Sequence, residues 1–329
     1  VTSYATPRRL AVVINQLDLQ QPASEIERLG PNVKQAYKDG EPTPAALGFA
    51  ASCGVELSQL SEKETDKGTR LAYFATQEGK ATKELLPEFI QTAINQLPIA
   101  KNMRWGARRT EFVRPVHWLI MLLGDEVLPA QLLGLTAGRH SYGHRFHSPE
   151  AIEIASPASY AEQLTAAKVI ASFAERKEEI RQQVLAEAEK QGATTVIDAD
   201  LLDEVTGLVE LPVALTGSFD AEFLQVPEAC LISSMQANQK YFHLVDNEDK
   251  LLPFFITLSN IASSNPQAVI AGNEKVIRPR LADAAFFYAA DQATPLAARF
   301  EQLEQMVFQK DLGTLADKSR RVAKLAAAI

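Results

Sequence analysis

Cysteine is scarce in this sequence. The 329 residues include two, Cys53 and Cys230, far apart and with no histidine beside either. Such a pair makes neither a disulfide framework nor a metal knuckle, and it fits a reducing, cytoplasmic compartment. Both are expected to be small buried apolar residues. Long apolar runs are also missing: the longest, Trp118–Gly124, has the length of a strand, far below the roughly 20 residues of a membrane helix. No signal peptide opens the chain. There is no initiator methionine, and Ala326-Ala327-Ala328-Ile329 falls inside a helical pattern, so the chain is expected to be a piece of a longer one. Positive charge is in deficit too. A formal net charge of −8 excludes a uniformly basic nucleic-acid glove, and any polyanion contact must use local patches. Finally, there is no G-x-x-x-x-G-K-[ST] phosphate loop, no G-x-G-x-x-G and no G-x-S-x-G elbow.

The composition that remains, 46% hydrophobic and 22% charged, is that of a globular chain long enough for about two domains. The patterning predicts an α+β fold: mixed sheets with flanking helices and an all-helical C-terminal part. Arg8–Leu17 reads as a buried strand, Thr43–Cys53 as a helix closed by Gly54, and Thr69–Gln77 as a strand. Ala81–Leu97 carries Leu85, Leu86, Phe89, Ile90, Ala93 and Ile94 at helical spacing. Val116–Leu123 and Val127–Leu135 flank Gly124-Asp125-Glu126 and predict a hairpin. A second region starts near Pro149. It holds helices over Ala174–Gln191, Asp200–Glu210 and Pro227–Ala237, a strand over Pro212–Phe219, and a hairpin of Tyr241–Val245 with Leu251–Leu258. From about Asn273 the pattern is helical, with starts expected at Pro279, Pro295 and Thr314. The expected domains are therefore 1–148, 149–272 and 273–329.

Four short basic segments stand out. Lys101–Trp118 carries Lys101, Arg104, Arg108, Arg109 and Arg114 against Glu111 alone, with Trp105, Phe112 and Trp118 interleaved. Arginine for phosphate and aromatics for base stacking is the combination RNA binding uses; the alternative is a tryptophan-bearing core under a solvated arginine face. Arg139–His147 contains Arg139, His140, His144, Arg145 and His147. A metal site is disfavoured there. No cysteine or acidic ligand lies close, two arginines would repel a cation, and the spacing lacks the i, i+4 geometry of a helical pair. A phosphate-contacting loop, or a structural loop with hydrogen-bonded histidine, fits better. The remaining segments are Asn238–His243 with Lys240, and Asn273–Arg280 with Lys275 and Arg278. Lys101, Arg104, Arg108, Arg109, Arg139, His144, Arg145, Lys240, Lys275 and Arg278 are the candidate RNA-binding residues; no catalytic and no metal residue is expected.

Longer strings carry a resemblance. TPRRLAV (Thr6–Val12), ERLGP (Glu27–Pro31), LPIAKNMRWG (Leu97–Gly106), FVRPVHWLIMLLGDEVLPA (Phe112–Ala130) and GHRF (Gly143–Phe146) resemble the bacterial glycyl-tRNA synthetase β subunit. So do NQKYF (Asn238–Phe242), GNEKVIRPRLADAAFF (Gly272–Phe287) and FQKDLGTLADK (Phe308–Lys318). The resemblance implies an α2β2 enzyme whose α subunit carries the class II site and uses ATP and Mg, with no cofactor in this chain. It implies as partners the α subunit, tRNA(Gly) and a second β subunit, with no membrane or DNA. It also implies a central module similar at fold level to the B3/B4 type, and a helical segment leading into an HD-type domain beyond this chain. No HIGH-like, KMSKS-like or class II signature is present, in agreement with that division of labour. Two functions are expected to compete: tRNA binding with α-subunit assembly, or an assembly scaffold without direct tRNA contact.

Overall fold

The structure, a computed structural model, describes every residue except Lys67 and Arg108. Helices and small antiparallel sheets mix along the chain, as the patterning predicts. They form two compact units, both discontinuous in sequence. One comprises Val1, Val13–Ser141 and Glu153–Pro157; the other comprises Thr2–Val12, Tyr142–Ile152 and Ala158–Ile329.

The chain opens with strands β1 (Thr2–Thr6) and β2 (Arg9–Val13), which pair as a two-stranded sheet. The expected buried strand at 8–17 is corrected here. Leu10, Val12 and Ile14 are exposed, whereas Arg9 is buried. Alternation along the strand turns Arg9 inward, because an interior carboxylate waits there, as described below.

In the first unit, β3 (Ser24–Asn32), β4 (Ser61–Lys63) and β5 (Arg70–Gln77) form an antiparallel sheet in the order β3-β5-β4. Helix α1 (Pro44–Cys53) begins after Thr43 and ends at Gly54, which takes the left-handed conformation that glycine adopts without penalty. Helix α2 (Thr82–Asn95) sets Leu86, Ile90 and Ile94 against a core of Met121, Leu128 and Leu132. The expected single hairpin becomes two tight ones. Leu122–Leu123 pairs with Glu126–Val127 across Gly124-Asp125, and Gln131–Leu132 pairs with Leu135–Thr136 across Leu133-Gly134. Leu133 and Gly134 both have positive φ, so this second turn ends the strand expected to run from Val127 to Leu135.

The second unit is built on a three-stranded sheet between two helical layers. After α3 (Tyr160–Ala166), α4 (Phe173–Lys190) and α5 (Ala199–Thr206) come β6 (Val213–Ser218), α6 (Glu228–Ser233), β7 (Phe242–Val245) and β8 (Leu251–Ser259). Strand β8 lies in the middle and pairs antiparallel with both others. Neighbouring residues on it point to opposite faces. Ile256 joins Phe242, Leu244, Ile180, Val184 and Leu202 on the face covered by α4 and α5. Phe255 joins Tyr241, Leu231, Met235, Ile277 and Leu281 on the other.

Helix α7 (Pro266–Ala293) supplies Ile277 and Leu281. The expected helix start at Pro279 is therefore corrected: the helix begins after Asn265, whose side chain caps the Ala268 N–H, and Pro279 lies within it. Proline there removes one backbone hydrogen bond, and Ile277 and Leu281, fully buried on either side, anchor the helix across that gap. Helix α8 (Leu315–Ala328) starts at Thr314 in a reciprocal capping box with Asp317. The expected helix Asp200–Glu210 ends at Thr206, which frees Glu210 for an interior role. Neither cysteine is buried, against expectation: Cys230 is exposed and Cys53 partly so. In α6 the inward position belongs to Leu231, one residue on.

Candidate nucleic-acid interface

In the first unit, Met103–Arg104 and Glu111–Phe112 pair as a short antiparallel ribbon. Opposed Arg104 and Glu111 form a cross-strand ion pair at 2.5 Å. Lys101 and Arg109 are exposed at its ends, and among the described residues neither makes an ion pair; Trp105, Phe112 and Trp118 are half-buried. Arg108 lies outside the described residues. Arg139 donates to the Asp125 carbonyl at 2.5 Å and sits 3.7 Å from Glu153.

In the second unit the loop carrying GHRF is organised by its histidines. His144 is fully buried. Its Nε2 lies 2.6 Å from the Asn260 carbonyl, so Nε2 carries the proton. Its Nδ1 accepts the backbone N–H groups of Phe146 and His147. The Nε2 of His147 accepts from the Ala262 N–H. These bonds match the structural-loop reading of the segment: His144 holds the loop, and Arg145 beside it is exposed. Among the described residues no cluster of three His, Cys, Asp or Glu side chains is arranged to hold a metal.

Lys240 is half-buried in a left-handed turn ahead of β7 and pairs with Glu204 at 2.9 Å. Its neighbours Tyr241 and Phe242 are both buried; the Tyr241 hydroxyl donates to Asn273 Oδ1 at 2.6 Å, and burial pushes its pKa up to about 12. Lys275 and Arg278 are exposed on α7. Arg278 pairs with Asp220 at 2.6 Å, a partner distant in sequence. Exposed pairs of this kind contribute only about 0–1 kcal/mol, so a phosphate can displace the carboxylate.

His243 faces the Phe255 side of the sheet, and burial lowers its pKa from the ordinary 6.5, with Glu228 acting weakly the other way. Its Nδ1 lies 3.4 Å from the Gln236 amide nitrogen, which donates to the neutral ring. A depressed folded-state pKa means stability present above pH 6.5 and lost as pH falls below it. The Hε1 resonance of His243 is accordingly expected to titrate below pH 6.5; a midpoint at or above that value would contradict this.

One constellation escapes the sequence patterning. Glu210 is almost wholly buried, and three segments of the second unit converge on it. Thr6 Oγ1 donates to its Oε1 at 2.7 Å, Arg9 Nη2 lies 3.1 Å from the same oxygen, and Arg8 Nη1 is 3.7 Å from Oε2. Arg8 and Arg9 also donate to the carbonyls of Gly143 and Tyr142. Asn260 Oδ1 receives the Glu210 and Leu211 N–H groups. Arg176, fully buried, donates to the carbonyls of Ala5, Ile170 and Thr206, at 2.6, 2.5 and 3.1 Å. Desolvation lowers the pKa of both Arg9 and Arg176, and the Glu210 carboxylate opposes it in each. In sequence Arg176 looks like one more charge on an amphipathic helix. The only prior signal is the TPRR string itself, so rich in charge at a strand start.

The TPRR and GHRF strings thus meet in one buried polar hub, LPIAKNMRWG and the start of FVRPVHW contribute to the ribbon, and GNEKVIRPR carries the cations of α7. Comparison with known families places a chain of this kind among the aminoacyl-tRNA synthetases. The model for the glycyl-tRNA synthetase beta subunit matches residues 1–329, and the chain belongs to that family. It is 60% identical over 327 residues to a glycine–tRNA ligase beta subunit of Chromohalobacter salexigens, covering 99% of this chain and 48% of that protein. To those of Pseudomonas putida (strain GB-1) and Hahella chejuensis it is 53% identical, over 326 and 331 residues, covering 99% and 100% of this chain and 47% and 48% of those proteins. The chain spans about half the length of the curated relatives it matches.

Proposed function

We propose that this chain contributes tRNA(Gly) binding and α-subunit assembly to a cytoplasmic glycine–tRNA ligase, an α2β2 complex with a second β subunit. Adenylate formation, with ATP and Mg, falls to the α subunit, and this chain alone does not charge tRNA. The observation that supports the reading is a set of exposed cations on an acidic chain. Lys101, Arg109, Arg145 and Lys275 make no ion pair among the described residues, while Arg104 and Arg278 hold exchangeable ones. Arg139 and Lys240 complete the set from half-buried positions, and His144 acts by fixing the loop that presents Arg145. Cations of this kind release counterions when they meet phosphate, which makes binding salt-dependent. Neither a membrane nor DNA enters this reading; among the described residues no helix is long and apolar enough to cross a membrane.

Arg278→Ala tests the reading at one contact. The variant is expected to weaken tRNA(Gly) binding and to reduce the salt slope by about 1. An unchanged affinity and slope would remove Arg278 from the interface. The alternative, an assembly scaffold without tRNA contact, draws support from exposed apolar side chains in the helical C-terminal part, among them Phe286, Phe287, Leu296 and Val322.

A further inference from the structure

We infer that the cavity between the C-terminal end of α2 and the Arg104–Glu111 ribbon receives a single unstacked nucleotide of an RNA strand. The inference deepens the tRNA-binding reading and rests on it for the source of the strand. The cavity measures about 650 Å³, inside the roughly 300–1,000 Å³ range of small-ligand sites. It lies wholly within the first unit.

The walls suit a base more than any other group. Gln91 and Asn95 come from the last turns of α2, Asn102 precedes the ribbon, and Gln131 comes from the second hairpin. Primary amides both donate and accept, which is the chemistry of a base edge. Gln91 Nε2 donates to Asn95 Oδ1 at 3.0 Å, so the Gln91 carbonyl and the Asn95 amino group are preset for a ligand. Phe112 adds an aromatic surface, half-buried and thereby fixed. RNA is read in this manner where bases leave the stack, by hydrogen bonds to their edges and by aromatic contact.

Charge decides which nucleotide. Arg109 lines the cavity and, among the described residues, makes no ion pair. Glu111 is the lining carboxylate, and Arg104 holds it at 2.5 Å, so it does not confront a phosphate as a bare charge. Among the described residues, one available guanidinium matches one phosphodiester. A free triphosphate would need more positive charge, and α2 directs its C-terminal end, the negative pole of its dipole, at the cavity. That pole favours the exocyclic amino groups of a base and opposes a polyphosphate. The site therefore fits a nucleotide within a strand and not a mononucleotide cofactor.

The test uses the 329-residue chain with a fluorescent single-stranded RNA of eight nucleotides and a blunt RNA duplex of equal phosphate number. Arg109, Asn102 and Gln131 are exposed, so their replacement leaves the fold intact, which circular dichroism checks. Arg109→Ala and the double variant Asn102→Ala, Gln131→Ala are each expected to weaken single-strand binding roughly fivefold to tenfold, the loss of one good phosphate or base contact. The double variant is expected to leave duplex binding and the salt slope unchanged. Single-strand binding at the unaltered level in both variants would overturn the assignment. The two readings fail separately. If tRNA(Gly) binding responds to Arg278→Ala while the cavity variants bind single strands normally, the pocket alone is wrong. If tRNA(Gly) is not bound but the cavity variants still lose single-strand binding, the pocket stands and the tRNA reading falls.

Discussion

Glu210→Ala is expected to destabilise the second unit by about 3–5 kcal/mol, the usual result of removing one partner from a buried charge network. The carboxylate accepts from Thr6, is the counter-charge of Arg9 and stands near Arg8. Its loss leaves the buried Arg9 guanidinium without its counter-charge and removes the favourable field that offsets the desolvation of Arg176. Arg176 alone would survive, because backbone carbonyls satisfy it. Arg9 would not. It must draw in water or swing out, and β2 with its TPRR start would separate from the loop at Tyr142 that Arg9 also holds. Glu210→Gln keeps the size and one acceptor oxygen, so its cost should be smaller. Chemical denaturation followed by tryptophan-independent circular dichroism would read both. A Glu210→Ala midpoint equal to that of the parent would show that the hub does not organise this unit.

Phe255→Ala is the second large effect, again about 3–5 kcal/mol. The ring is fully buried, and it stacks on Tyr241 with centroids 4.4 Å apart and planes 14° from parallel. Gly217 stands directly across the strand pair from it. A Cβ added at Gly217 would stand 2.5 Å from the Phe255 ring, so this glycine is required by the ring and not by its own backbone. Gly217→Ala in the parent should therefore cost about 1–3 kcal/mol through overpacking. In a Phe255→Leu background the same change should cost less, since the terminal ring atoms are gone. The coupling between the two sites is the discriminating quantity. Additive effects would show that the glycine answers to something else.

How much of this was legible depends on the range of the interaction. Helix α1 was readable because Gly54 supplies its own stop signal, and α8 because Thr314 and Asp317 cap it within one turn. The hairpin of β7 and β8 was readable from a polar turn between two apolar runs. Pro279 misled, because its effect on a helix is overruled by Ile277 and Leu281 packing from either side. Arg176 and Glu210 were not legible: what buries them is Ala5, 171 residues from Arg176, and Thr6, 204 residues from Glu210. No local period encodes a partner at that distance. Of the site, the cations could be named from their clustering. That His144 is interior and Arg145 exposed could not, since both sit in one irregular loop and the Asn260 carbonyl that receives His144 lies 116 residues away.

The most direct measurement of the central claim is filter binding of this chain to tRNA(Gly) between about 50 and 200 mM salt, the range over which phosphate contacts reveal themselves. Binding at the low end, with log K falling linearly in log salt by about 0.7–0.9 for each phosphate neutralised, is the predicted result. No binding at the lowest salt, or binding indifferent to salt, would contradict it.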